Sequence, residues 1–287
     1  AKALQLINLL QPSGSTQQRL QELVFDLTAL AWSFEFMTCL GPTLDGAIHD
    51  VAVRIGRLLD NRMTSDPRQL QMPALMDHSA DLSGQKPSVL VSLRGMIVVL
   101  KPSGWEVDGK GSKLVAAPSP EDGRIGLSTF VHCIFPSQIF KLPHCTDMDH
   151  GFLHRLDVPS SGLVLAGVTM EGYYSLRLQL NTYRLAREYF VLCHGLMPAE
   201  FSRVALSIGS SVDHMQDNPR ADKTPKSTFN ECGKPAESFV KVSGHSRVAR
   251  RHWKACWTIV GIRIRTGRHH QIRTHMLFSD HPTAADA

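Results

Sequence analysis

The sequence predicts an α+β fold preceded by a short α-helical segment. Strand-like apolar runs recur through the later two thirds of the chain, at Met96–Leu100, Gly162–Val168, Glu188–Leu192, Ser238–Val242 and Trp257–Arg265. One helical pattern, Met170 to Arg184, sits between two of them, unlike the regular alternation of a βαβ series. The first sixty or so residues have helical periodicity instead.

In chain order, Gln17 to Met37 reads as an apolar helix, set off by Pro12-Ser13-Gly14 before it and Gly41-Pro42 after it. Leu44, Ile48, Val51, Ile55 and Leu58 then recur at alternating steps of four and three, one face of a second helix with Thr43 as its N-cap. These make a helical N-terminal segment, 1–62. Residues 63–92 are polar, contain Pro67, Pro73, Gly84 and Pro87, and read as a linker. The last domain is expected over 93–287. Its final strand alternates: Thr258, Val260, Ile262 and Ile264 fall on one face, Ile259, Gly261, Arg263 and Arg265 on the other. Gly209 to Glu231, long and polar, is expected to be a mobile surface insertion.

A net charge of +5 and a pI near 8.9 are moderately basic. Lys241, Arg247, Arg250, Arg251, Lys254, Arg263, Arg265, Arg268 and Arg273 crowd the C-terminal portion, as a surface that tracks a phosphate backbone would. The six cysteines are scattered without a CxxC pair, which favours a reducing intracellular compartment over a disulfide framework. His132-Cys133 and His144-Cys145, with His150 and His154, match no zinc spacing, and no metal is expected. No apolar run is long enough to span a membrane. The chain opens on Ala1, so localisation stays open; an organelle such as a mitochondrion or plastid is compatible.

Four motifs bear on chemistry. His150 to Leu163 reads HGFLHRLDVPSSGL, an Arg-Leu-Asp triplet entering a turn and then an apolar strand, a position where backbone groups can orient the carboxylate of Asp157. Lys101-Pro102-Ser103-Gly104-Trp105 follows the run Met96–Leu100, with Pro and Gly where a turn wants a preset φ and a permissive residue. Arg187-Glu188-Tyr189 opens a strand leading to Gly195, and Thr266 to His275 reads TGRHHQIRTH. In this order the four resemble the signature motifs of the RluA-like family of RNA pseudouridine synthases, over roughly residues 94 to 286. His269 and Thr274 depart from the family's usual Thr and Val, and Ser160 from its usual Thr; none removes a catalytic group.

The resemblance implies a mixed, largely antiparallel sheet with a central cleft, and a catalytic domain truncated at its C-terminus, since relatives continue past His281-Pro282 with further sheet elements. It implies catalytic roles for Asp157, Tyr189 and Arg273. It also implies RNA contacts from Arg155, His154, Lys101, Arg268, His270 and Gln271, to which the basic cluster adds Arg250 and Arg251. Converting uridine to pseudouridine breaks the ribose–N1 bond, turns the base and rejoins it through carbon 5. Nothing is oxidised and no second substrate enters, so no cofactor is expected. Asp157 can add to base or sugar, or remove a sugar proton; the residues do not choose. Arg273 suits a bidentate pair with it, and Tyr189 offers a ring against which the extruded base can stack. The expected partner is RNA, rRNA or tRNA, met by a monomer without a membrane. The alternative is a non-catalytic RNA-binding protein on the same scaffold.

Overall fold

The computed structural model describes residues 14–63, 86–108, 125–210, 227–250 and 253–284. The chain divides into two units on either side of the Arg184–Leu185 link, each with its own core.

The first unit begins with helices α1 (Gly14–Phe36) and α2 (Pro42–Met63). Pro42 itself starts α2, a position where a missing N–H costs nothing, so Thr43 lies inside the helix and is not its cap. The buried stripe of α2 is Ile48, Ala52, Ile55 and Leu59, rotated from the predicted one: Leu44 is exposed, and Val51 and Leu58 flank the core. Strands β1 (Ser88–Leu93), β2 (Met96–Lys101) and β5 (Gly162–Gly167) form an antiparallel sheet in the order β1-β2-β5. Ser88 to Ser92, placed in the linker by their polar surroundings, are therefore strand, held by the apolar partner β2; residues 64–85 of that linker lie outside the described residues. Between β2 and β5 come the short parallel pair β3 (Trp105–Glu106) and β4 (Ile125–Gly126), helix α3 (Leu127–Ile134) and two 3₁₀ turns, Leu142–His144 and Thr146–Gly151.

Helix α4 (Met170–Asn181) follows β5 and is the face on which the N-terminal helices pack. Leu20 and Val24 of α1 and Ala52, Ile55 and Leu59 of α2 share one core with Met170, Tyr173 and Tyr174. Gly56 is needed there for space: a Cβ would stand 2.6 Å from the Glu171 Cα. The Asp60 carboxylate accepts the first backbone N–H groups of α4, from Met170 at 2.7 Å and Glu171 at 3.0 Å, a cap supplied by another helix. Arg57 pairs with Glu171, and Asn181 Nδ2 donates to the Thr28 carbonyl.

The second unit is built on β6 (Arg187–His194), β10 (Glu237–Arg250), β11 (Trp253–Ile264) and β7 (Arg203–Ala205), antiparallel in the order β6-β11-β10-β7. The predicted alternation of the last strand holds: Thr258, Val260, Ile262 and Ile264 are buried and Ile259 and Arg263 exposed. A bulge between Val242 and Gly244 shifts the phase of β10, so that His245 and Arg247 pair with Thr258 and Cys256 on the buried-side face. Helix α5 (Gln271–Phe278) covers that face through Ile272 and Met276. A hairpin of β8 (Ile208–Ser210) and β9 (Ser227–Phe229) precedes β10; the rest of the expected insertion, 211–226, lies outside the described residues. Residues 282–284 begin to pair with the free edge of β6, through His194 N–H to the Pro282 carbonyl and Ala284 N–H to the Leu192 carbonyl. The fold is thus mixed α+β with antiparallel sheets and helices at its start. Among the described residues no helix is long and apolar enough to cross a membrane.

Candidate active site

Asp157 sits at the tip of a tight chain reversal in the first unit. Phe152 bridges to Ala166, the Leu153 N–H donates to the Leu165 carbonyl, and the Leu165 N–H donates to His154 Nε2 at 3.2 Å. Residues 152–154 thus run antiparallel to β5, and the Ser160 N–H closes the turn onto the Asp157 carbonyl at 2.9 Å. Gly151 permits this because its φ is +83° and a Cβ there would meet the Gly167 carbonyl.

The Lys101–Gly104 turn braces the tip. Gly104, at φ +89°, donates its N–H to the Val158 carbonyl at 2.8 Å, and Ser103 Oγ donates to the Pro159 carbonyl at 2.8 Å. Lys101 is fully buried at the end of β2, and its Nζ donates to the carbonyls of Trp105 (2.8 Å), Pro102 (3.0 Å) and Val158 (3.3 Å). Burial pushes its ammonium down to about 8, against an upward pull from the Asp157 carboxylate. So enclosed, the ammonium holds the Asp157 turn, a structural use where an RNA contact was expected. Arg155 remains exposed, its Nη2 4.0 Å from Glu106 on β3. His154 spends Nε2 as an acceptor for the β5 backbone, a structural use where an RNA contact was expected.

Tyr189 and the TGRHHQIRTH segment belong to the second unit. Tyr189 lies opposite Ile262 with its partly buried ring on the core face beside Val191 and Ile272, the face that α5 covers, while Phe190 points the other way and is exposed. The TGRHHQIRTH segment is largely a lock. Thr266 Oγ1 accepts the Glu237 N–H and donates to Gln271 Oε1, which also accepts the Arg268 N–H. Gln271 Nε2 donates to the Glu237 carbonyl and Ser238 Oγ. His275, buried and held below the usual imidazole value by that burial, reaches Ser238 Oγ and the Leu206 carbonyl. With its side chain buried, Gln271 commits its amide to protein groups, again a structural use where an RNA contact was expected. A Cβ at Gly267 would meet the far end of the Arg187 side chain, which can move aside. His270 starts α5 in a left-handed conformation with its ring against His269, Arg268 Nε donates to the Pro235 carbonyl, and Arg273 stands partly exposed on α5. Arg250 ends β10; Arg251 lies outside the described residues.

The structure therefore gathers Lys101 and Asp157 in one unit and Tyr189, Arg268, His270, Gln271 and Arg273 around α5 in the other. Sequence reasoning missed Ser103, Glu106, Thr266 and Ser238, whose partners are distant in the chain; for Ser103 and Thr266 the only signal was membership of a motif. The His132 ring stacks on His144 and meets His150 edge-on, each of the three bonds a backbone carbonyl, and among the described residues no group of three or more His, Cys, Asp or Glu could hold a metal ion.

The profile of the RNA pseudouridylate synthase family matches residues 95–278, well over half of the chain and all four motifs. The chain belongs to this family. Among curated relatives it is 27% identical over 191 residues to the ribosomal large subunit pseudouridine synthase C of Buchnera aphidicola subsp. Schizaphis graminum, covering 67% of this chain and 50% of the relative. It is 26% identical over 266 residues to the ribosomal large subunit pseudouridine synthase D of Vibrio vulnificus, covering 86% and 73%. The chain thus spans about half the length of the first and about three quarters of the second. Among solved structures, human RNA pseudouridylate synthase domain containing 1 superposes with a TM-score of 0.47 at 20% identity, covering 71% of this chain and 69% of that one, too slight a likeness to argue from.

Proposed function

We propose that this protein isomerises uridine to pseudouridine in structured RNA, with Asp157 as the catalytic carboxylate. The observation that carries the reading is the brace: the Lys101–Gly104 turn commits three donors to the Val158 and Pro159 carbonyls, so the carboxylate just before them is presented by a fixed backbone. Such a carboxylate can serve a reaction whose only demand is a charged oxygen at the ribose or the base. The family resemblance assigns to Tyr189 a ring for the extruded base and to Arg273 a guanidinium. Arg155 is the group that enters the RNA where the base has left, at a cost of a few kcal/mol in lost stacking that is least in loops and bulges.

RNA as the substrate is supported by the names of the relatives, which act on the large ribosomal subunit or, for a synthase C of Yersinia pestis, on tRNA. Charge supports it too: residues 185–287 hold fifteen Lys and Arg against nine Asp and Glu, a formal +6, while residues 1–184 carry −1. Arg250, Arg251, Arg268 and His270 belong to that basic unit. A monomer in a reducing intracellular compartment completes the reading, testable by sedimentation and by fractionation.

The test is tritium release from RNA carrying uridine labelled at base position 5. Wild type releases label; Asp157→Asn, which keeps shape and loses charge, releases none while binding RNA within a few-fold. Turnover by the Asn variant near the wild-type rate would remove Asp157 from the chemistry. Binding without turnover by the wild type on total rRNA and tRNA would favour the non-catalytic alternative.

A further inference from the structure

We propose that the exposed aromatic pair Phe229 and Phe278 of the second unit is a stacking platform for an unpaired base of the bound RNA, outside the catalytic residues. The inference rests on RNA being the ligand and deepens that reading by giving the RNA a second, sequence-tolerant anchor. Phe229 ends β9 and Phe278 ends α5; their ring centroids lie 5.2 Å apart with planes inclined by 44°, and they are 41% and 53% exposed. Leu277 beside them is 59% exposed. The core does not need these rings: α5 buries Gln271, Thr274, His275 and Met276. Two exposed rings in contact leave an aromatic face open to a planar ligand.

Nearby cations choose the occupant. Ile208 pairs with Phe229 and, through both backbone bonds, with the exposed Lys234. The next carbonyl, that of Pro235, accepts Arg268 Nε at 3.1 Å. Glu231 and Asp280, each two residues from one of the rings, are the acids at its margin, against Lys234 and Arg268. Aromatic faces beside lysine and arginine, in a unit with a +6 excess, fit a single-stranded nucleic acid. A protein partner would meet charge at the rim of so small an apolar patch and gain little area.

The probe is a fluorescein-labelled twelve-nucleotide oligouridylate, compared with an RNA duplex of equal length, titrated by anisotropy against the full chain at several salt concentrations. Phe278→Ala and Phe229→Ala are expected to weaken oligouridylate binding by roughly 5- to 100-fold, with the slope of log affinity on log salt unchanged. Phe278→Leu, which keeps the apolar bulk, should lose nearly as much, and Phe278→Tyr should bind within about twofold of wild type, because the π-face is what matters. Lys234→Ala should lower the salt slope by about one. Equal binding by Phe278→Leu and wild type would overturn stacking, as would indifference of both alanine variants. Loss of a concentration-dependent self-association in Phe278→Ala, with RNA binding unchanged, would assign the patch to a second copy instead. Pseudouridine formation measured in parallel separates the two readings. Turnover with a Phe-indifferent affinity sinks the platform alone, and a Phe-dependent affinity without turnover sinks the enzymatic reading alone.

Discussion

Replacing Lys101 by methionine keeps the length of the side chain and removes its ammonium. In the folded protein that ammonium is fully buried and donates to the carbonyls of Pro102, Trp105 and Val158. The Val158 carbonyl keeps a donor in the Gly104 N–H, so the variant's main loss is the two ammonium bonds to the Pro102 and Trp105 carbonyls, at about 1–3 kcal/mol each. Relief of the buried charge offsets part of this. Burial lowers Lys101 from 10.5 to about 8, which at 1.36 kcal/mol per unit is about 3 kcal/mol. Between those two values the unfolded chain binds more protons than the folded one, so wild type gains stability as pH rises from about 8 towards 10.5, and the methionine variant does not. The expected result is a gap of no more than about 3 kcal/mol at pH 7 that widens by about 2–3 kcal/mol at pH 10. Urea unfolding of both proteins at the two pH values, followed by far-ultraviolet circular dichroism, measures it; other groups titrate alike in both. Turnover should fall well beyond what stability explains, because the Asp157 turn loses a brace. A gap that stays constant or narrows towards pH 10 would refute the buried-ammonium account.

Further outcomes follow from the same geometry. Gln271→Ala should destabilise the second unit by about 2–4 kcal/mol while leaving the salt dependence of RNA binding unchanged, read by thermal unfolding and anisotropy. Gly56→Ala should cost about 1–3 kcal/mol by forcing α2 off the Glu171 backbone, seen as a lower urea midpoint. Burial holds the Asp60 carboxyl above its ordinary 3.8, so its contribution to stability falls as pH rises from 3.8 through the folded value; Asp60→Asn should flatten that part of the stability–pH curve. Prolonged exposure to EDTA or phenanthroline should leave pseudouridine formation intact, and a loss restored by zinc would contradict this.

Strands β2, β5, β6, β10 and β11, helix α4 and the order of the motifs were legible because turn chemistry and alternation act locally. The Pro and Gly of Lys101–Gly104 announced a turn, and the alternation from Thr258 to Ile264 announced a buried face. What escaped was set by partners far along the chain. A lysine after an apolar run reads as the first exposed residue after a strand; one of the carbonyls that hold it in the core, that of Val158, is 57 residues away. Gln271 reads as a polar helix residue; Glu237 and Ser238 on β10 bury it. Ser88 to Ser92 looked like linker because β1 borrows its stability from β2. The stripe of α2 was rotated because the helix packs on α4, with Gly56 and Asp60 turned inward, and no periodicity rule weighs a glycine or a capping acid as a contact.

The seat of α2 on α4 makes neighbours of two parts that the family profile separates, since Gly56 and Asp60 fall before its first matched residue and Met170 and Glu171 lie well inside it. Such a seam constrains inheritance. A larger residue at 56 is tolerable only if the start of α4 withdraws, and loss of the acid at 60 is tolerable only if Thr169 or a neighbour takes over the exposed amides. Lineages that retain these helices should therefore change positions 56, 60, 170 and 171 together. Lineages that shed them should show polar residues where this chain buries Met170, Tyr173 and Tyr174. Transplanting α1 and α2 onto a relative lacking that apolar face would leave the helices without a place to sit.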